Sequence, residues 1–188
     1  MLDQEDHTEI YDETYWNTQD PGWYGRVSES LRLVLLANEL LKARVEHLEI
    51  LDFGCGFGGF VEIGRKLQMN VWGTDIIPPK VAVEYFLPSV GDRKFDLITA
   101  CEVIEHLPFP AETFATIKSY LKSPGAFAFQ TAQWDPDNLD RDWWYLGPAN
   151  GHISLFSREA LDTMYTQLGA SDRRDWRGYP GVQAWLFE

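Results

Sequence analysis

Hydrophobic residues follow one of two patterns in successive segments of the chain. Continuous apolar runs and two-residue alternation predict strands, and 3.6-residue spacing predicts helices. The predicted strands span 48–53, 70–75, 95–101, 126–131, 172–177 and 182–187, and the predicted helices span 27–45, 57–68, about 80–86, 111–122 and 158–168. Helices and strands alternate until the final hairpin. This order predicts an α/β fold with a doubly wound, mostly parallel sheet and a C-terminal antiparallel strand.

Composition narrows the class of protein. With 45% hydrophobic and 14% aromatic residues the chain is predicted to fold, and at 188 residues one domain is the default. The net charge of −13 disfavours nucleic acid and anionic membranes as partners. The absence of a long apolar run or a signal peptide leads us to expect a soluble cytoplasmic protein. Two cysteines without CxxC spacing predict neither a disulfide framework nor a metal site, and no pattern indicates the oligomeric state.

A glycine cluster at the end of the first predicted strand carries most of the chemical information. Residues 54–59 read Gly-Cys-Gly-Phe-Gly-Gly between a strand and a helix, where a backbone can press against a ligand. Asp75 lies 21 residues after Gly54, at the end of the next strand. An acid there can accept hydrogen bonds from ribose hydroxyls. The two features predict an enzyme that binds an adenosine-containing cofactor.

Two cofactor classes fit such a loop. Gly54, Gly56 and Gly59 satisfy the GxGxxG dinucleotide pattern, so a nicotinamide-dependent reductase is one alternative. Asp52, two residues before Gly54, suits a ligand that carries an ammonium group better than a pyrophosphate. The chain also has no room for a separate substrate domain and no Tyr-x-x-x-Lys pair.

Four motifs in order resemble those of the class I S-adenosylmethionine-dependent methyltransferases. They lie at 50–58, 73–76, 95–98 with 102–107, and 121–125. The segment from His152 to Gly169 also resembles, more loosely, the ubiquinone-biosynthesis-like branch of small-molecule methyltransferases. The resemblance implies a Rossmann-like methyltransferase fold, with S-adenosylmethionine as the cofactor and S-adenosylhomocysteine as its product.

The resemblance also implies a set of cofactor-binding residues: Asp52, Gly54, Cys55, Gly56, Gly58, Asp75, Ile76, Cys101 and Glu102. The glycines would let the loop pass close under the methionine part, and Asp52 would orient the loop or meet the amino group through water. Asp75 would hold both ribose hydroxyls, and Ile76 would pack on the adenine. Cys101 and Glu102 would close the far wall beside the sulfonium, with the thiol of Cys55 nearby and reduced.

One departure from the family concerns adenine. Family members usually place a third strand, and an acid that reads the adenine amino group, before the strand that begins here at Phe95. Only 19 residues separate Asp75 from Phe95, so this strand is predicted to be missing or reduced to about 85–90. Asp92 lies too close to the following strand to replace that acid.

Histidines and acids in the third motif and in the long loop supply the candidate catalytic groups. His106 and His152 are candidate bases for an acceptor proton, since the ordinary histidine pKa of about 6.5 suits that task. The alternatives are that His106 only caps the turn at Pro108 and that His152 only packs its loop. Glu102 and Glu105 could form a pair of carboxylates, with Glu102 on the cofactor side. The alternative for Glu105 is a solvated helix face.

Aromatic residues gather in two segments that could close over an acceptor. We expect Trp144 and Tyr145 in the long loop, with Tyr15 and Trp16 near the N-terminus, to bind a planar or apolar substrate. The alternative is that these rings anchor their loops on the core.

These observations predict one methyltransferase domain over 1–188. It would comprise a helical lid region (1–46), a cofactor-binding core (47–131), a substrate loop (132–156) and a C-terminal helix and hairpin (157–188). The expected reaction moves a methyl group from S-adenosylmethionine to a small-molecule acceptor, with oxygen ahead of nitrogen and carbon. The alternatives are an NAD(P)-dependent reductase and a catalytically silent S-adenosylmethionine-binding module.

Overall fold

The computed structural model describes residues 23–135, 137, 143–146, 151–179 and 181–188. Its strands are β1 (Glu49–Phe53), β2 (Asn70–Thr74), β3 (Phe95–Cys101), β4 (Leu121–Gln130), β5 (Asp172–Asp175) and β6 (Val182–Phe187). Its α-helices are α1 (Trp23–Leu41), α2 (Gly59–Lys66), α3 (Pro110–Ser119) and α4 (Arg158–Gln167). Short 3₁₀ helices lie at Val45–His47, Val83–Tyr85, Ile104–His106 and Trp144–Leu146.

The six strands form one sheet in the order β2-β1-β3-β4-β6-β5. Strands β1 to β4 pair in parallel, whereas β6 runs antiparallel to β4, and β5 runs antiparallel to β6. The predicted fold class is therefore confirmed, including the antiparallel C-terminal end. Parallel strands bring their carboxyl ends to one edge of the sheet, where such folds bind ligands.

Each face of the sheet carries its own apolar core, because neighbouring residues of a strand point to opposite sides. One core joins α1 and α2 to small side chains such as Ala126, Ala128 and Ala184. The other joins α3 and α4 to bulky aromatic side chains of the same two strands, Phe127, Phe129 and Trp185. Small residues beneath α1 let the longest helix lie close to the sheet.

The predicted reduction of the third strand is confirmed in the described chain. Between β2 and β3 the chain makes a single bridge, from Phe86 to Gly73. The Leu87 N–H donates to the Gly73 carbonyl at 2.8 Å, and Arg65 Nε donates to the Val71 carbonyl at 2.6 Å. These two contacts satisfy carbonyls at the outer edge of β2 that a neighbouring strand would otherwise pair.

Several element boundaries differ from the prediction, and α1 begins and ends four residues earlier than expected. The helix expected near 80–86 is only the 3₁₀ turn Val83–Tyr85, and β4 begins at Leu121 instead of 126. Phe95 pairs with Leu121, but Leu97 pairs with Ala126, so the segment around Pro124 is a bulge inside the strand. A bulge accommodates proline, which lacks the N–H that a regular ladder needs. Of the described helices, none is both long and apolar enough to cross a bilayer.

Candidate active site

A cavity of about 350 Å³ opens at the carboxyl ends of β1, β2 and β3. We call its lining from residues 52–60 and 74–77 the glycine wall, and its lining from 101–107 with Gly151 the β3 wall. Helix α1 completes the enclosure through Arg26, Val27 and Ser30. All nine predicted cofactor-binding residues except Gly58 are among the lining residues.

Backbone contacts fix the glycine wall. The N–H groups of Gly54 and Cys55 both donate to the Thr74 carbonyl, at 2.8 and 3.1 Å, and so tie the loop to the end of β2. Gly58 does not line the cavity, but it has φ +90°, and a Cβ there would lie 2.4 Å from the Val81 carbonyl oxygen. This left-handed conformation and close approach require glycine, which explains part of the motif.

Asp75 is built into the same wall. Its Oδ2 accepts the Gly56 N–H at 2.8 Å, and its Oδ1 accepts the Ile77 N–H at 3.3 Å. Burial raises the pKa of this carboxyl, and the backbone hydrogen bonds act in the opposite direction. Each carboxylate oxygen can accept more than one hydrogen bond, so Asp75 can hold the loop and still bind a ligand hydroxyl.

Asp52 lies at the base of the cavity and is 5% exposed. Thr99 Oγ1 donates to Asp52 Oδ1 at 2.9 Å. Burial, and to a lesser extent the charge of Asp75, raises the pKa of Asp52 to about 7. A carboxyl with this pKa can gain or lose its proton near neutral pH, depending on the charge of what binds beside it.

Cys55 and Cys101 are buried free thiols that line the cavity, as the sequence predicts for reduced cysteines. Burial raises the pKa of both thiols. They are therefore apolar packing groups at neutral pH, since the thiolate is the reactive form.

Glu102 begins the β3 wall in a strained conformation, with φ +54°. Burial, together with the charge of Glu105, raises the pKa of Glu102 to about 8, so its neutral form predominates at pH 7. Non-glycine residues in this backbone region concentrate at functional sites. Glu102 can therefore act as a hydrogen-bond donor toward the cavity.

Glu105 does not lie on a solvated helix face, the alternative considered for it, because it is fully buried, and its charge acts on Glu102 as expected of paired carboxylates. Neither carboxyl oxygen has a hydrogen-bond partner among the described residues. Its backbone carbonyl accepts the N–H groups of Ile153 and Ser154, both at 2.9 Å, which ties the β3 wall to the distant loop. Helical spacing could not predict this burial, because the covering residues lie 48 and 49 positions further along the chain.

The structure brings the two candidate catalytic histidines together, with ring centroids 4.7 Å apart. His106 lines the cavity, whereas His152 is not among its lining residues. His106 Nδ1 is 3.2 Å from the Gly151 carbonyl, and His152 Nδ1 is 2.8 Å from the Tyr145 carbonyl. A carbonyl only accepts, so these partners assign a proton to Nδ1 of each ring. Burial, with the charge of His152, lowers the pKa of His106 to about 4.

Glu105, His106 and His152 each place one potential ligand atom within 4.8 Å of the others. This spacing is compatible with one cation. The predicted absence of a metal stays a prediction.

The aromatic pair of the long loop lies outside the cavity lining. Tyr145 is fully buried, and its hydroxyl oxygen is 3.1 Å from Thr131 Oγ1 and accepts the Ala132 N–H at 3.2 Å. Its ring packs 3.9 Å from that of His152. Its predicted place facing an acceptor is therefore wrong, and the anchoring alternative describes it. Trp144 is 68% exposed and is likewise absent from the lining. Tyr15 and Trp16 lie outside the described residues.

Sequence reasoning placed α1 in a lid region but did not identify which of its residues line the cavity. Arg26, Val27 and Ser30 share one face of the helix, and that face meets the opening. The helical spacing of the segment was visible in the sequence. No sequence signal linked that face to the glycine cluster, because their contact depends on how α1 crosses the sheet.

The strand order, the glycine loop and the acid after β2 define a Rossmann-like fold of the class I methyltransferase type. The model of the family described as "Methyltransferase domain" matches residues 27–173. The chain therefore belongs to the methyltransferase domain family, which confirms the resemblance found in its motifs.

Curated relatives and solved structures agree with this assignment. A ubiquinone biosynthesis O-methyltransferase of Nitrosococcus oceani is 33% identical over 124 residues, which cover 56% of this chain and 51% of the relative. That of Actinobacillus pleuropneumoniae serotype 7 is 31% identical over 105 residues, covering 44% and 45%. The chain thus matches about half the length of these relatives.

Among solved structures, the fold resembles 1,6-didemethyltoxoflavin-N1-methyltransferase of Burkholderia thailandensis, bound to 1,6-didemethyltoxoflavin and S-adenosylhomocysteine. The TM-score is 0.64 at 15% identity, over 99% of this chain and 89% of the other. An O-methyltransferase family protein of Burkholderia thailandensis gives a TM-score of 0.66 at 12% identity, over 96% and 61%. At these identities the likeness concerns the fold alone.

Proposed function

We propose that this protein transfers a methyl group from S-adenosylmethionine to a small-molecule acceptor, with oxygen as the acceptor atom. The observation that carries the proposal is one cavity in which the glycine loop and Asp75 face a wall containing Glu102 and His106. The relatives named as O-methyltransferases support oxygen as the acceptor atom.

The glycine wall fits the adenosine and methionine parts of the cofactor. Asp75 would bind the ribose hydroxyls while keeping its contact to the Gly56 N–H. Asp52 lies where it can meet the ammonium group directly or through water, and Arg26, a cation in the lining, suits the carboxylate. Ile76 would pack on the adenine.

The bound cofactor would supply an electrophilic methyl group on a sulfonium. The protein has to align the acceptor, exclude water and take up the acceptor proton. The methyl carbon would pass to the acceptor oxygen, and the electron pair of the broken carbon–sulfur bond would stay on sulfur. His106 is neutral at pH 7 and lines the cavity, so it can accept the proton, and His152 would hold it in place.

Substrate size and location also belong to the proposal. The net charge of −13 favours a small acceptor over nucleic acid and fits a cytoplasmic protein. Membership of the methyltransferase domain family disfavours the nicotinamide-dependent alternative. A catalytically silent binding module would have no open space for an acceptor beside the cofactor. In this protein His106, Leu107 and Gly151 line open space in the β3 wall.

Calorimetric titration with S-adenosylmethionine, S-adenosylhomocysteine, NADH and NADPH tests the proposal. We expect micromolar binding of the two sulfur compounds and none of the nicotinamides. A screen of small phenols and hydroxy acids with methyl-labelled S-adenosylmethionine would then identify the acceptor. Nicotinamide binding, or cofactor binding without transfer to any acceptor, would contradict the proposal.

A further inference from the structure

The segment that joins β2 to β3, residues 75–94, determines what lies at the adenosine end of the cavity. It contributes Asp75, Ile76 and Ile77 to the lining. Ile76 and Ile77 offer apolar side chains there, and Ile76 is 69% exposed. Beside Asp75, the segment therefore offers this end of the cavity only apolar side chains, and that of Ile76 is open to solvent.

The two other acids of the segment, Glu84 and Asp92, do not line the cavity. Glu84 lies near Arg65 at the far end of α2: burial lowers the pKa of the Arg65 guanidinium, and the charge of Glu84 acts against this. The Arg65 guanidinium also stacks 4.0 Å from the ring of Tyr85, next to Glu84. Glu84 thus lies near the end of α2, and it is not among the cavity residues.

Asp92 lies near the amino ends of the strands, whereas the cavity lies at their carboxyl ends. It precedes β3 in a turn closed by the Arg93 N–H and the Val90 carbonyl at 3.3 Å. Arg93 is 3.8 Å from Glu49, the first residue of β1. The cavity opens at the carboxyl ends of these strands, so Asp92 is separated from it by the length of β3.

The chain between these acids also leaves the cavity. Phe86 and Leu87 pair with Gly73, and Thr74 Oγ1 donates to the Leu87 carbonyl at 2.8 Å. Pro88 and Ser89 are exposed, and Val90 returns to the core with Phe95. Among the described residues, the segment therefore offers no acidic side chain to the adenosine end beyond Asp75.

We infer that this protein holds the purine of its cofactor by apolar contact, with the amino edge facing solvent, and selects the cofactor through its ribose and amino-acid parts. This inference rests on the proposed use of S-adenosylmethionine. A site that hydrogen-bonds a ligand group rejects an analogue without that group strongly, because its buried partner is left unpaired. A site without such a partner discriminates little.

The test is calorimetric titration of the whole chain with four ligands. They are S-adenosylhomocysteine, S-inosylhomocysteine (which replaces the amino group by a carbonyl), an N6-benzyl analogue and a 2′-deoxyribose analogue. We expect the first three to bind within roughly threefold of one another, and the 2′-deoxy analogue at least roughly tenfold more weakly. A loss above tenfold for the inosyl or benzyl compound would overturn the inference while leaving the proposed function intact.

The variants Glu84→Gln and Asp92→Asn add a second readout. We expect both to bind S-adenosylhomocysteine as the unmodified chain does. If either variant binds it over tenfold more weakly but binds S-inosylhomocysteine normally, that acid reads the amino group and the inference fails. If S-adenosylhomocysteine itself does not bind the unmodified chain, the proposed function fails, and the inference fails with it.

Discussion

The two walls of the cavity are built in different ways. The glycine wall consists of two short stretches, 52–60 and 74–77, which neighbouring parallel strands present side by side. Backbone groups make most of its contacts, as between Gly54 and Thr74. The β3 wall depends on side chains, and on a loop 45 residues further along that brings Gly151 to His106.

The two walls therefore place different requirements on the amino-acid sequence. A wall made of backbone needs particular residues only where a side chain would collide or where φ is positive, so its motif is short and easy to find. A wall made of buried ionisable side chains can change its chemistry through one substitution. We therefore expect the glycine wall to govern cofactor affinity and the β3 wall to govern turnover and acceptor choice.

The largest expected effect is at Gly56. It lines the cavity with φ +51°, and its N–H binds Asp75. Gly56→Val would place a branched side chain on the strained loop, and we expect no measurable S-adenosylhomocysteine binding by calorimetry with an unchanged circular dichroism spectrum. Gly91→Val is the matched control, since Gly91 has φ +58° with nothing within 4 Å of an added Cβ. Equal binding by both variants would refute close backbone approach to the cofactor.

Asp75→Ala tests the polar part of the same wall. We expect cofactor affinity to fall by roughly 10- to 100-fold, because hydrogen bonds to a charged group are worth about 1.5–3 kcal/mol. Asp172→Ala, which removes an exposed acid paired with Arg174, serves as the control. Affinity like that of the unmodified chain would remove Asp75 from the binding site.

His152→Ala tests the β3 wall. His152 contacts His106 but does not line the cavity, so its loss should cost less than the factor of about 10² to 10⁴ that a general base supplies. We expect kcat to fall roughly tenfold on the true acceptor, with cofactor affinity unchanged. His47→Ala, at an exposed position, should change neither. If His152→Ala weakened cofactor binding and left kcat unchanged, His152 would serve cofactor binding, and the assignment of turnover to the β3 wall would be contradicted.

The contrast between the two walls also explains which features could be predicted from the sequence and which could not. The glycine loop, Asp75 and the reduced third strand follow from residues close together in the chain, where local spacing determines structure. The burial of Glu105 and Tyr145 depends on contacts between segments about 40 residues apart, in a loop without periodicity. Polar and aromatic residues in such a loop suit a lid as well as a core, and only tertiary packing distinguishes the two.

The smallest effect concerns Asp52, at the base of the glycine wall. Its pKa is raised to about 7. If its carboxylate meets the cofactor ammonium, binding favours the ionised form, so affinity should rise with pH through that pKa. We expect a gain of about three- to fivefold between pH 5.5 and 7.5, where an α-amino group is still mostly protonated.

Asp52→Asn keeps an oxygen for the hydrogen bond from Thr99 but cannot ionise. Its cofactor affinity should be flat over this pH range and equal to that of the unmodified chain at pH 5.5. The same slope in both proteins would assign the titration to another group, with Asp75 in the same wall the next candidate. A slope of opposite sign would mean that protonated Asp52 donates a hydrogen bond to the cofactor. The glycine wall would then recognise the methionine carboxylate at that point instead of the ammonium.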